Sequence, residues 1–199
     1  MPRQAPDLRR EQILDAVVVQ IVERGLNAIR AADVAKALGI SPGLIFYYFP
    51  SKERWLAEAF AYAAQRDLEE LDRILARPSS AVDRLQAALA LYAPTGKAHG
   101  WQLWIDGWAA ALREPEMRRV FRQLDLAWQQ RLTAVIASGI STGEMSSAEP
   151  ADSARRIAAF LDGLAVQVIV REDSLSRETL RTWVRDFVAH ELSLPVSAA

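Results

Sequence analysis

One stretch of this chain restricts its fold more than any other. Residues 33–53 run Asp-Val-Ala-Lys-Ala-Leu-Gly-Ile-Ser-Pro-Gly-Leu-Ile-Phe-Tyr-Tyr-Phe-Pro-Ser-Lys-Glu. Val34, Ala35 and Leu38 share a face at helical spacing. Gly39 then stops that helix, because glycine alone takes a left-handed backbone without steric cost. Ile40 is placed to plug the corner. Ser41 is a good N-cap residue, and Pro42 falls at the first helical position, where its missing N–H matters least. A short second helix carries Phe46, Tyr47 and Tyr48 and is closed by Pro50, and Ser51 can cap the next helix. A two-turn helix is not stable alone; a scaffold must hold it. Helix, glycine-containing turn and short exposed helix form the pattern whose second helix enters the DNA major groove. An ordinary helical corner with the aromatics as core fits the turn alone.

A longer pattern narrows this. Arg24-Gly25, Val34-Ala35, Gly39-Ile40-Ser41 and Tyr48-Phe49-Pro50-Ser51-Lys52-Glu53 stand together at fixed spacing. Over residues 10–55 the chain resembles the N-terminal domain of the TetR family of transcriptional regulators. The resemblance implies an all-α chain: a three-helix helix-turn-helix domain, placed at 1–52, followed by a larger helical ligand-binding and dimerisation domain, placed at 53–199. Within the recognition helix, Ile45 and Phe49 are expected to face inward, and Ser41, Pro42, Gly43, Leu44, Tyr47 and Tyr48 outward toward DNA. Lys52 is similar to the family's phosphate-contacting lysine. Ile29 stands where family members often have a hydroxyl, so a phosphate contact there is lost or passes to Arg30, beside a helix N-terminus. Leu44 replaces a common Thr and offers apolar contact, as with a thymine methyl. Phe46 replaces a common Tyr, cannot donate to phosphate, and is a candidate for the core instead.

Charge is distributed in keeping with a reader of DNA. Residues 1–52 hold seven basic against five acidic side chains, a net +2, and the remainder holds seventeen against twenty. A mildly basic head suits a few placed contacts rather than a coat on nucleic acid. There are no cysteines, which excludes disulfides and thiolate metal sites, and the two histidines, His99 and His190, stand far apart. No metal or other cofactor is expected. No apolar run approaches the roughly 20 residues that span a bilayer, and the N-terminus lacks a signal-peptide core. A cytoplasmic protein without membrane contact is expected.

Periodicity predicts helices over about 7–24, from 30 or 31 to the glycine turn, and over 51–77, 80–93, 99–113, 115–139, 151–171 and 176–192. Leu26 and Ile29 should pack beneath the helix-turn-helix. The breaks are Pro78-Ser79-Ser80, Pro94-Thr95-Gly96, Glu114-Pro115, a long loop from Gly139 to Pro150, and Asp173-Ser174, with Ser176 as the cap of the last helix. Residues 1–6 read as a loose arm in which Arg3 could touch DNA.

Trp101, Trp104 and Trp108 lie on one helix face, and Phe121, Leu124 and Trp128 form a stripe on the next. Plain core packing explains such stripes. The family resemblance adds a second reading, an apolar cavity for an inducer. The run Trp101-Gln102-Leu103-Trp104-Ile105-Asp106, with Arg113-Glu114-Pro115-Glu116, is similar to the subgroup of choline-responsive repressors of betaine synthesis. Tryptophans suit a quaternary ammonium through cation–π attraction, and equally an aromatic or an acyl chain; Asp106 or Gln102 could fix a polar end. The family also implies a homodimer through the last two helices, with Phe160, Leu161, Leu164, Val168, Leu180, Trp183, Val184 and Phe187 at the interface, reading a palindromic operator. No nucleophile–base pair, phosphate loop or metal spacing marks an enzyme. The alternative to a ligand-released repressor is a helical interaction protein that has lost specific DNA binding, for which Ile29, Leu44 and Phe46 are the hints.

Overall fold

The structure is a computed structural model and describes residues 6–93, 99–171 and 175–194. The breaks at Pro94-Thr95-Gly96 and Asp173-Ser174, and the arm with Arg3, lie outside the described residues. Nine α-helices and no strand occur among the described residues: α1 (Pro6–Arg24), α2 (Ala31–Leu38), α3 (Pro42–Tyr48), α4 (Lys52–Leu75), α5 (Ala81–Tyr92), α6 (His99–Ala111), α7 (Pro115–Ser141), α8 (Pro150–Val170) and α9 (Arg177–Glu191). A single 3₁₀ turn, Leu26–Ala28, joins α1 to α2.

The chain forms two compact units. The first comprises residues 1–67 and 102–124, the second 68–101 and 125–199. Helices α4, α6 and α7 each contribute a portion to both.

In the first unit, Ile13, Leu14, Val17 and Ile21 of α1 are buried with Leu26, Ile29, Val34, Ala35, Ile45 and Phe49. Trp55, Ala59 and Phe60 of α4 complete this core, together with Trp104 and Phe121. Gly107 of α6 is required by packing. A methyl group there would lie 2.6 Å from the Phe121 ring and 2.9 Å from Phe60. Phe121 and Phe60 approach with ring centroids 4.5 Å apart, and Trp104 stands edge-on to Phe60 at 5.2 Å.

In the second unit the core is aliphatic: Leu85 and Leu89 of α5, Leu132, Val135 and Ile136 of α7, Ile157, Leu161 and Leu164 of α8, and Leu180, Val184 and Val188 of α9. Helix α7 continues two residues past Gly139, where a loop was expected. Gly139 admits the Met145 side chain, whose sulfur lies 2.7 Å from where a Cβ would stand. The stop comes instead at Gly143, at φ +74°. Ser80 and Ser176 cap α5 and α9 by accepting the amides of Asp83 and Thr179, each at 3.0 Å.

Candidate DNA interface and ligand site

The helix-turn-helix forms because each end is chemically determined. Gly39 takes the left-handed conformation at φ 64°, ψ 35°. The Ile40 amide reaches back to the Ala35 carbonyl at 2.9 Å, closing the end of α2 as a Schellman turn. Ile40 is half-buried at the corner. Ser41 occupies the N-cap position of α3 with extended backbone, but its hydroxyl makes no cap bond, contrary to expectation; Pro42 at the first position has no N–H, and the Leu44 amide bonds the Ser41 carbonyl at 3.0 Å.

Ile45 and Phe49 are fully buried and anchor α3. Arg10 of α1 lays its guanidinium over the Phe49 ring, 5.1 Å from the centroid, and pairs with Glu58 of α4. Glu58 also accepts from Arg54 Nε at 3.0 Å. The short helix is thus held from beneath by two side chains and at its end by a bridge between α1 and α4.

Ser41, Pro42, Gly43 and Tyr47 are exposed, Tyr47 to 80%, while Leu44 and Tyr48 are half-buried. Phe46 is not core: it is 47% exposed, because Ile45 and Phe49 already fill the inward face. Arg30 is exposed at the N-cap of α2. Lys52 is exposed at the first position of α4, a helix capped by Ser51 Oγ accepting the Arg54 amide at 3.2 Å. Two exposed cations therefore sit at helix N-termini, where unpaired amides also favour a phosphate.

The aromatic residues of the body fall into two clusters, one per unit. Trp104, Trp108 and Phe121 pack with Phe60 in the first, with Trp104–Phe121 centroids at 5.5 Å and Trp104–Trp108 at 6.4 Å. Leu124 is buried in the same unit. Asp106, a candidate for fixing a ligand's polar end, has one carboxylate oxygen engaged within the chain. Its Oδ2 accepts the Leu26 amide at 3.0 Å and lies against Gly25, so it closes the turn between α1 and α2.

In the second unit Tyr92 stands between two tryptophans, 5.0 Å from Trp101 and 4.7 Å from Trp128. Trp101 Nε1 donates to the Tyr92 carbonyl at 3.2 Å. The Tyr92 hydroxyl donates to Asp162 Oδ1 at 2.8 Å. Burial raises the Asp162 carboxyl to about 6, opposed by the Tyr92 hydrogen bond and assisted by the negative charge of Asp125. Desolvation raises Asp125 also, although much of that residue remains exposed. The Tyr92 phenol is pushed well above its ordinary value, by burial first and then by Asp162 and Asp125. The buried Trp128 Nε1 has no hydrogen-bond acceptor among the described residues. Three aromatic rings, the Asp162 carboxyl and the unpaired Trp128 indole N–H therefore lie together in this unit, with Asp125 close enough to act on Asp162.

Tyr92, Asp125 and Asp162 were not among the ligand residues expected from the sequence. One signal existed: Asp162 interrupts the apolar run Phe160-Leu161-Asp162-Gly163-Leu164.

The interface residues expected on α8 and α9 divide. Leu161, Leu164, Leu180 and Val184 are no more than 7% exposed within the single chain and form its own core. Trp183 is 42% exposed, and Phe160, Val168 and Phe187 are half-buried, with Phe160 stacked on Phe187 at 4.2 Å.

Comparison with known proteins decides what these elements belong to. The family model of tetR-family bacterial regulatory proteins matches residues 13–59, and that of the BetI-type transcriptional repressor C-terminal domain matches residues 81–193. The chain belongs to the TetR family, with a BetI-type body. It is a DNA-binding transcriptional regulator, and the family is one of regulators rather than enzymes. It is similar to the HTH-type transcriptional regulator BetI of Cronobacter sakazakii, 27% identical over 191 residues that cover 94% of this chain and 92% of that protein. BetI of Paraburkholderia phymatum is also 27% identical, over 97% of this chain and 96% of its own. Among solved structures, a transcriptional regulator from Saccharomonospora viridis in complex with choline has a TM-score of 0.84 at 28% identity, covering 94% of this chain and 98% of its own. No helix among the described residues is long and apolar enough to cross a membrane, and no group of side chains there could hold a metal ion.

Proposed function

We propose that this TetR-family regulator is a cytoplasmic repressor that binds a palindromic operator as a homodimer and is released by a small quaternary ammonium compound of the choline type. The cluster of Tyr92, Trp101 and Trp128 beside Asp162 and Asp125 carries this reading. Cationic methyl groups would lie against the rings, and the two acids would supply counter-charge. Trp128 Nε1 would donate to the ligand's oxygen. The choline complex of the S. viridis regulator supports the same ligand chemistry here. The ligand releases DNA by binding the non-reading conformation more tightly.

The DNA contacts are assigned to Ser41, Pro42, Gly43, Leu44, Tyr47 and Tyr48, with Arg30 and Lys52 on phosphates. For the dimer, α8 offers a stripe of exposed small and apolar residues, Ala159, Gly163, Val166 and Val170, beside Trp183 of α9. Nothing lies within 4 Å of where a Gly163 Cβ would stand, so a partner helix can approach closely there.

The test is titration of the purified protein with choline, followed by tryptophan fluorescence and by operator binding at fixed salt. Choline should quench or shift the emission and weaken operator binding, and Trp128→Phe with Asp162→Asn should lose both responses. Operator binding indifferent to choline and to other quaternary ammonium ions would reject the inducer assignment.

A further inference from the structure

The outward face of α3 carries an unusual chemistry for a DNA reader. From Ala37 to Ser51 there is no Arg, Lys, His, Asn, Gln, Asp or Glu. The side-chain pairings that identify bases by hydrogen bonds are Arg or Lys on guanine, Asn or Gln on adenine, and Asp or Glu on cytosine. None is available from this helix. What it offers the groove is three hydroxyls and an apolar surface.

The geometry assigns positions to that surface. Helical residues are about 100° apart around the axis. Ile45 and Phe49, both fully buried, mark the inward line, so Tyr47 points directly away, consistent with its 80% exposure. Leu44 and Phe46 flank Tyr47 on either side. Phe46 is 47% exposed, on a helix of seven residues whose packing is already complete without it. Tyr47 stands edge-on to Tyr48 with centroids 5.3 Å apart. The apolar feature of the major groove that such side chains can recognise is the C5 methyl of thymine.

We propose that this protein reads its half-site through thymine methyl groups, contacted by Leu44 and Phe46, in place of bidentate hydrogen bonds to base edges. Tyr47, Tyr48 and Ser41 then serve position rather than sequence, with Arg30 and Lys52 supplying charge. This inference rests on the reading of α3 as an operator-binding helix.

The experiment begins with an operator selected from random duplexes by the full-length protein at fixed salt. Each thymine is then replaced singly by deoxyuridine, which pairs identically but lacks the methyl. Removing a contacted methyl should weaken binding about four-fold, and the symmetric pair about fifteen-fold, as expected for one buried methyl-sized group per half-site. Thymines in the flanks should be indifferent. In Leu44→Ala, or in Phe46→Ala should the first not fold, the sensitive position should become indifferent to uracil. An operator whose complete uracil substitution leaves wild-type affinity within two-fold overturns the proposal and leaves the operator reading standing. Failure of the folded protein to enrich any sequence overturns both.

Discussion

Asp162 is where a single residue controls most. Its carboxyl sits at about 6 against an ordinary 3.8, so the folded protein holds a proton that the unfolded chain has released between those values. Its contribution to stability is therefore full below about pH 4 and is lost as pH rises through 6. Asp162→Asn should remove that loss, and denaturant midpoints should show the variant gaining on the wild type between pH 5 and pH 8. The ligand responds in the opposite sense. A quaternary ammonium beside Asp162 favours the ionised form, so its affinity should rise with pH and level off above 6. Below 6 the Asp162 carboxyl alone should lower it by at most about tenfold per pH unit, and Asp125 would add to that fall. Calorimetric titration of choline at pH 5 and pH 7.5 measures this, and a pH-independent affinity would remove Asp162 from the site. Gly25 gives a second test at this scale. At φ 79°, ψ 154° it lies in a region open essentially to glycine alone, with Asp106 Oδ2 3.4 Å from the missing Cβ. Gly25→Ala should cost about 1–3 kcal/mol in equilibrium unfolding. The sequence showed that Gly25 ends α1. It could not show that Asp106, eighty residues later, closes the same turn, because that pairing depends on tertiary placement.

For the helices, legibility followed from the chemistry of their ends and the width of their apolar stripes. The α2–turn–α3 element was readable because Gly39 and Pro42 each permit little else, and because Ile45 and Phe49, four apart, define one inward line. The exposure of Phe46 and the missing cap bond at Ser41 were not readable, since both depend on which neighbours fill the available space. The two aromatic stripes were visible, but periodicity alone could not say that they would sort into a tight cluster around Gly107 and a separate one around Tyr92. Helix α3 is too short to hold itself, so its order should depend on what lies beneath. Phe49→Ala removes a fully buried ring and the seat of Arg10 and should cost about 3–5 kcal/mol. Helix α3 should lose amide-exchange protection first. Equal exchange across α1 and α3 would show that the Phe49 anchor is not what orders the recognition helix.

On the scale of the whole molecule, the proposed homodimer would present two recognition helices, of which each chain supplies one. The apolar residues of α8 and α9 were legible as a group, but not their division between core and surface. Leu161, Leu164, Leu180 and Val184 satisfy this chain's own interior, so a partner would bury chiefly the exposed Ala159–Gly163–Val166–Val170 stripe and Trp183, with the half-buried Phe160, Val168 and Phe187 beside them. Introducing charge there should separate assembly from folding. Val166→Glu with Trp183→Glu leaves every core residue in place, so helical content and thermal midpoint should change little. Sedimentation should report a monomer at concentrations where the wild type is a dimer. Operator affinity should then fall by about 10²–10⁴, the advantage of delivering the second half-site contact at millimolar effective concentration. Binding to an isolated half-site should be unchanged. A variant that remains dimeric would move the two-fold axis off α8. A monomer with undiminished affinity for the full palindrome would mean that one chain reads the operator alone.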